Sequence, residues 1–188
     1  EDVSIINYLI NIGSSEDIKP ETIKDKILEN FDIKNISTSS AKFSEVVLKS
    51  LNADILKSYN FEQVSKRINF ISPDIDLEKL WIFSHNNIFF IKDIIFWSKI
   101  IRETFDVNEY DIPEDFIQTA VENIPEEPFN YESWDIWTKS ISEKTGLKGK
   151  NLFMPLRLIL TGKDKGPELK NFLPLLDKQT LLRKFGKT

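Results

Sequence analysis

The side chains best suited to binding a ligand lie in one stretch of the sequence, residues 148–169. If this stretch begins as a helix, Lys150, Met154, Arg157 and Thr161 share one narrow face, because they are separated by multiples of about one turn. Nearly all the remaining positions of that helix are apolar. The pattern therefore predicts a central, buried helix with a single polar stripe.

A basic, glycine-containing turn follows this helix. Lys163 and Lys165 supply positive charge, and Gly166 allows the backbone to approach a ligand closely. Pro167 is expected in the first turn of the next helix, so the free amides of the two residues after it, the second being Leu169, would face an acceptor. Such a pocket could bind the phosphates and unpaired bases of RNA. A bundle helix with an ordinary basic loop is the alternative, and these residues alone leave both open.

Catalytic chemistry has little support among the residue types. The sequence has no cysteine and one histidine, His85, which excludes disulfides and cysteine-ligated metals and disfavours a Ser-His-Asp triad. The basic segment 148–150 lacks the spacing and the preceding strand of a phosphate-binding loop. Trp134 and Trp137 lie three residues apart, where a stripe of core residues is favoured over a surface that stacks on bases.

The charges are distributed unevenly along the 188 residues. The formal net charge is −5, but residues 139–188 contain ten lysines and two arginines against four acidic residues, a net +8. Residues 1–138 carry −13, and the segment 103–138 has eleven acidic residues with no lysine or arginine. This asymmetry is typical of a chain with one face that attracts a polyanion. A solvated surface of uneven composition is the alternative.

The hydrophobic periodicity is helical nearly throughout, so the predicted fold class is all-α. Breaks at glycine and proline divide the predicted helices, which cover 3–12, 20–28, 44–59, 61–70, 77–83, 90–101, 114–124, 131–144, 152–160, 167–176 and 177–185. A break near 72–76 separates a helical segment, 1–72, from a helical bundle, 73–188. Because the chain opens with Glu1 rather than methionine, we interpret it as a piece of a longer protein.

The apolar segments 77–83 and 90–101 are expected to be buried helices, and they support a second hypothesis. In that hypothesis the chain is a helical module that binds a protein partner through these segments and has no RNA role. The aromatic residues that motivate it are Trp81, Phe83, Phe89, Phe90, Phe96 and Trp97.

The basic stretch contains a long and specific combination of short motifs. They are Lys148-Gly149-Lys150, Pro155-Leu156-Arg157, Leu160-Thr161-Gly162 and Gly166-Pro167-Glu168-Leu169. In this combination the chain resembles the C-terminal anticodon-binding domain of bacterial glutamyl-tRNA synthetases. The first part of the chain is similar to the helical stem-contact segment of the same family, in Asn7-Tyr8-Leu9, Gly13, Phe31-Asp32-Ile33, Ser37, Ala41, Phe43 and Leu51-Asn52.

The resemblance implies that the full-length parent is a glutamate–tRNA ligase (EC 6.1.1.17), which attaches glutamate to tRNA in cytoplasmic translation with ATP and Mg²⁺. The family's ATP-binding signatures belong to a catalytic domain that precedes the position of Asn7-Tyr8-Leu9. They are missing here, so this chain is expected to hold no cofactor, metal or catalytic residue and to be inactive by itself. The segment 63–67 resembles one signature but lies after that position, and we interpret it as an exposed basic turn of a helix.

The resemblance also implies partners and site residues. The partners are tRNA, with 1–72 on the inner stem and 73–188 on the anticodon arm, and the parent's own catalytic domain; no DNA or membrane is implied. Arg157 matches the arginine on the helix that approaches the anticodon. The turn that encloses an anticodon base corresponds to Gly166, Pro167 and Leu169, and the remaining candidate RNA-binding residues are Lys150, Thr161, Lys163 and Lys165.

The tRNA specificity stays open. In some family members an arginine, aligned near Asn86 or Asn87, rejects the glutamine tRNA. No arginine lies between Arg67 and Arg102 in this sequence. The expected partner is therefore the glutamate tRNA, either alone or together with the glutamine tRNA.

Overall fold

The computed structural model describes residues 1–14, 18–37 and 40–187, and its regular elements in these ranges are helices. The α-helices are α1 Asp2–Asn11, α2 Lys24–Glu29, α3 Glu45–Ser58, α4 Phe61–Val64, α5 Leu77–Ser84, α6 Ile94–Arg102, α7 Glu114–Glu122, α8 Tyr131–Thr145, α9 Lys150–Thr161, α10 Leu169–Phe172 and α11 Lys178–Lys184. Short 3₁₀ helices cover Ile33–Asn35, Ser65–Arg67, His85–Asn87, Ile91–Asp93, Val107–Glu109 and Leu173–Leu175.

The predicted all-α class is confirmed. Within the described ranges, β pairing is limited to one isolated antiparallel bridge between Ser14 and Ile36. No helix in the same ranges combines the length and apolarity needed to cross a bilayer.

The chain forms two compact units. Unit 1 consists of Glu1–Ile68 and His85–Ile94, and unit 2 consists of Asn69–Ser84 and the chain from Ile95 onward. The chain first passes from unit 1 to unit 2 between Ile68 and Asn69, close to the predicted break at 72–76. The return of 85–94 to unit 1 has no signal in the local sequence, and the functional domains 1–72 and 73–188 stay predictions.

The core of unit 1 lies between α1, α2 and α3. Its buried apolar residues are Val3, Tyr8, Ile27, Leu51 and Ile55. The segment 85–94 is held to α3 by Asn52, whose side-chain amide donates a hydrogen bond of 2.5 Å to the Phe89 carbonyl.

The core of unit 2 is built around α8 and α9. Asn130 and Ser133 form a reciprocal capping box that starts α8. One turn further, Trp137 is fully buried and its indole nitrogen donates to the Ala120 carbonyl at 2.8 Å. Trp134 is also buried, so the interpretation of the tryptophan pair as core residues is confirmed.

Several predicted helix boundaries are wrong. Helix α2 begins at Lys24 rather than at Pro20, and α10 begins at Leu169, after Pro167. A proline suits the first turn of a helix but does not impose one; here the backbone at Glu168 is still extended. Helix α10 is also only four residues long, since a 3₁₀ turn that contains Pro174 replaces its predicted continuation.

Candidate nucleic-acid interface

Helix α9 leads directly into the loop of residues 162–167, which we call the basic loop. Gly162 ends the helix in the left-handed conformation, with φ of 62°. The buried Thr161 hydroxyl donates to the Arg157 carbonyl at 2.8 Å and accepts from the Lys163 amide at 3.3 Å. Thr161 therefore connects the last turn of α9 to the first residues of the loop.

The basic loop lies directly on two aromatic rings. A Cβ atom added at Gly162 would be 2.4 Å from Cδ1 of Phe105, and one added at Gly166 would be 2.7 Å from Cη2 of Trp97. Both distances are far below van der Waals contact, so the backbone can approach these rings only because neither residue has a side chain. The rings fix the two ends of the loop, and the lysines between them are exposed.

Arg157 closes the loop from the side of α9. Its guanidinium Nη2 donates a hydrogen bond of 2.9 Å to the Pro167 carbonyl. The side chain is half-buried, and this burial lowers the pKa of Arg157. A guanidinium nevertheless keeps its charge at neutral pH, so Arg157 combines a structural hydrogen bond with a positive charge near the surface.

The predicted site residues fall into three groups by exposure. Lys150, Lys163 and Lys165 are exposed, Arg157 and Gly166 are half-buried, and Thr161, Pro167 and Leu169 are buried. The polar stripe predicted on α9 is therefore interrupted at Thr161, whose hydroxyl bonds to backbone. The expected helix N-terminus after Pro167 begins at Leu169, with Glu168 as its N-cap, and belongs to a helix of a single turn.

Part of the positive charge near the end of the chain is paired with acidic side chains within unit 2. Lysines 170, 178 and 187 pair with acidic residues of the segment 103–138, in the pairs Lys170–Asp135 at 2.6 Å, Lys178–Glu126 at 3.5 Å and Lys187–Glu114 at 3.5 Å. By contrast, no ion pair among the described residues involves lysines 148, 150, 163 or 165. Lysines without an ion pair in the described ranges therefore lie at both ends of α9.

Lys184 is a buried amine next to the ring that supports the loop. Its Nζ atom is fully buried and donates to the carbonyls of Ile100 at 2.8 Å and Glu103 at 2.6 Å, at the end of α6. It lies 5.5 Å from the ring centre of Phe105, the ring under Gly162. Burial lowers the pKa of Lys184 to about 7, with Glu103 opposing this shift and Arg183 adding to it.

Sequence reasoning missed the aromatic support of the loop. Trp97 and Phe105 are distant from the loop along the chain, and no local pattern connects them to it. Phe96 was expected to be buried, but 45% of it is exposed. Of the aromatic residues proposed to bind a protein partner, Trp81, Phe83 and Trp97 are buried inside unit 2 and are not available as a surface.

Two predicted features of unit 1 can be placed; in the segment 63–67 Val64 is buried, whereas Lys66 and Arg67 are exposed. The segment 63–67 lies in α4 and the following 3₁₀ turn, and the Arg67 guanidinium donates to both carboxylate oxygens of Glu1, at 2.6 and 2.8 Å. Its interpretation as an exposed basic turn agrees with this placement. Asn86 and Asn87 are exposed in the 3₁₀ helix that follows α5.

Comparisons with known proteins add independent information. The family model of the anticodon binding domain matches residues 82–187. The chain is 32% identical over 184 residues to glutamate–tRNA ligase 1 of Rickettsia felis and 33% identical to glutamate–tRNA ligase 2 of Rickettsia canadensis. In both cases the alignment covers 98% of this chain, which spans 41% of the relative's length.

Solved structures show the same fold. The glutamate tRNA ligase of Elizabethkingia meningosepticum superposes with a TM-score of 0.74 and the glutamate-tRNA synthetase of Elizabethkingia anophelis with 0.77, each at 23% identity. The superpositions cover 97% of this chain, and 40% and 39% of the two structures respectively.

Proposed function

The chain belongs to the anticodon binding domain family, and on this premise we propose that it is the tRNA-binding portion of a glutamate–tRNA ligase. It holds the anticodon arm through residues 73–188 and the inner stem through residues 1–72. This positions the tRNA for chemistry that occurs elsewhere in the full-length protein. Aligning a bound substrate is a substantial part of catalysis, so a binding portion without catalytic groups still contributes to rate and specificity.

The observation that carries this proposal is the position of four lysines without an ion pair to any described residue at the two ends of α9, two of them on a loop held by aromatic rings. Acidic side chains pair with lysines 170, 178 and 187, whereas Lys163 and Lys165 extend from a loop that two rings and Arg157 hold in place. Because these contacts hold the loop in one conformation, RNA binding has less of the loop to fix, which lowers the entropic cost of binding.

The candidate residues divide into contact and support roles in this proposal. Lys150, Lys163 and Lys165 bind phosphates, and Arg157 contributes charge near an anticodon base. The buried residues Thr161, Pro167 and Leu169, with Gly166, shape the turn instead of touching RNA with their side chains, which agrees with their burial.

The parent enzyme would attach glutamate to tRNA with ATP and Mg²⁺ in the cytoplasm. This part of the proposal rests on the names of the relatives, of whose length the chain spans 41%. The ATP and the metal ion are assigned to the region of the relatives that this chain does not cover. We therefore expect the chain alone to bind tRNA without aminoacylating it.

A titration with a synthetic anticodon stem-loop of a glutamate tRNA tests the proposal. The double variant Lys163→Ala/Lys165→Ala should bind more weakly, and the slope of log affinity against log salt should fall by about 0.7 to 0.9 for each phosphate that the protein no longer neutralises. Lys170→Ala/Lys178→Ala is the matched control, since it removes the same charge from lysines already paired with acids. An equal weakening of binding in the two double variants would show that only net charge matters and would refute the assignment of the basic loop.

Arg157→Ala should weaken the same complex by about 1–3 kcal/mol if the arginine reads a base. Repeating the titration with the anticodon stem-loop of a glutamine tRNA tests whether the chain also binds that tRNA. Comparable affinities for both stem-loops are expected if the absence of an arginine near Asn86 removes the discrimination implied by the family resemblance.

A further inference from the structure

Phe96 is an exposed aromatic residue beside the basic loop. It lies on α6, and 45% of it is open to solvent. The ring packs edge-on against Trp97, with centroids 4.9 Å apart and planes at 75°. Trp97 in turn is the ring beneath Gly166. Phe96 therefore packs against the same ring that supports the loop.

One cation lies over the Phe96 ring, and a second belongs to the same face of the helix. The Lys163 Nζ atom lies 5.6 Å from the ring centroid, and Lys99 is three residues further along α6, on the same helix face. Both lysines are exposed, and among the described residues neither takes part in an ion pair. Arg102, at the end of the same helix, is instead paired with Asp74. The one acidic side chain on the loop between its two lysines is the exposed Asp164.

This combination fits one class of ligand better than others. An exposed ring with one lysine over it and a second lysine one turn along the helix fits an unpaired nucleotide, whose base can replace the Lys163 ammonium on the ring while the lysines bind the adjacent phosphates. A protein partner with an apolar surface would gain little from one ring and would have to desolvate both lysines.

We infer that Phe96 is a stacking platform for an unpaired base of the bound RNA, with Lys163 and Lys99 contacting the adjacent phosphates. The inference rests on the proposed tRNA-binding function and extends it to a residue on α6. Stacking on an aromatic side chain tolerates any base, so the platform contributes affinity and position rather than sequence selectivity.

Substitutions at position 96 separate stacking from packing. Phe96→Ala should weaken stem-loop binding by roughly 5- to 150-fold, the range typical of losing one stacked base. Phe96→Tyr keeps a ring and should bind within a few-fold of the wild type. Phe96→Leu keeps apolar volume against Trp97 but has no aromatic face, so it should behave like Phe96→Ala. Phe70→Ala, which truncates a phenylalanine that is 52% exposed in the same unit, is the control and should bind as the wild type does.

The salt dependence distinguishes the platform from its lysines. Phe96→Ala should lower affinity at every salt concentration without changing the slope, whereas Lys163→Ala should reduce the slope by about 0.7 to 0.9. Placing the fluorescent base 2-aminopurine at each unpaired position of the stem-loop should reveal one position that wild type and Phe96→Tyr quench and Phe96→Leu does not.

The outcomes separate this inference from the function on which it rests. If the wild-type chain does not bind the stem-loop, the proposed function fails. If the wild type binds and Phe96→Leu binds equally well, the proposed function stands and the platform is refuted. If polyglutamate competes with the RNA, and Phe96→Ala weakens the binding of both ligands to the same degree, the surface recognises acidic peptides and base stacking is refuted.

Discussion

The support of the basic loop by Phe105 can be tested with one methyl group. Gly162→Ala places a Cβ atom 2.4 Å from Cδ1, 2.5 Å from Cε1 and 2.8 Å from Cγ of the Phe105 ring. The contacting atoms belong to a rigid ring rather than to the end of a flexible chain. Either the ring or the loop backbone therefore has to move.

Gly146 provides a matched control for the backbone strain in this substitution. Both glycines end helices in the left-handed conformation, with φ of 62° at Gly162 and 72° at Gly146. A Cβ added at Gly146 would meet no atom within 4 Å. Gly146→Ala should therefore cost only left-handed strain, about 1 kcal/mol once the reduced entropy of the unfolded chain is subtracted.

The expected cost at Gly162 is the same strain plus the displacement of a packed ring. Overpacking of this kind costs about 1–3 kcal/mol, so Gly162→Ala should lower the free energy of unfolding by about 2–4 kcal/mol. Urea denaturation followed by tryptophan fluorescence measures this quantity for unit 2, because all four tryptophans lie in that unit. Equal losses of stability in the two variants would show that Phe105 does not hold the loop in place.

Two further substitutions probe buried polar groups of unit 2 by the same fluorescence assay. Lys184→Met removes the donor to the Ile100 and Glu103 carbonyls and should cost about 1–3 kcal/mol at pH 8. The folded-state pKa of Lys184, about 7, lies below the usual 10.5, so between these pH values the unfolded chain binds more protons than the folded chain. Above pH 7 the stability of the wild type should therefore rise relative to that of the variant, by up to ~1.4 kcal/mol per pH unit. A stability difference that stays constant from pH 6 to 9 would contradict this. Trp137→Phe removes the hydrogen bond to Ala120 and should cost about 1–3 kcal/mol, and a destabilisation below about 0.5 kcal/mol would mean that water replaces the indole as donor.

Local signals in the sequence predicted the helices that carry the site. Gly146 and Gly162 mark the ends of α8 and α9, and the Asp177 side chain accepts from the Thr180 amide at the start of α11, as its position suggested. These features depend on residues a few positions apart, so periodicity and capping rules capture them. Pro167 shows the limit of such rules. Its position was compatible with the start of a helix, but the backbone at Glu168 is extended and the helix begins only at Leu169.

The support of the site could not be predicted in the same way. Phe105 contacts Gly162, and Lys184 contacts the end of α6, across long separations in sequence. Lys184 was counted with the surface charge of a basic tail, yet it is fully buried and bonded to two carbonyls. Only the packing of unit 2 distinguishes it from exposed lysines of the same tail.

The position of the unpaired lysines matters more than the net charge of the segment that contains them. Lysines 148 and 150 lie at one end of α9 and lysines 163 and 165 at the other, separated by a helix of 12 residues. At 1.5 Å per residue this is about 18 Å, more than twice the screening length of roughly 8 Å at physiological ionic strength. The two pairs are therefore electrostatically independent, and each retains its own attraction for phosphate when the other is removed. A ligand that benefits from both pairs has to extend along the helix, which a nucleic-acid backbone does and a single small anion does not.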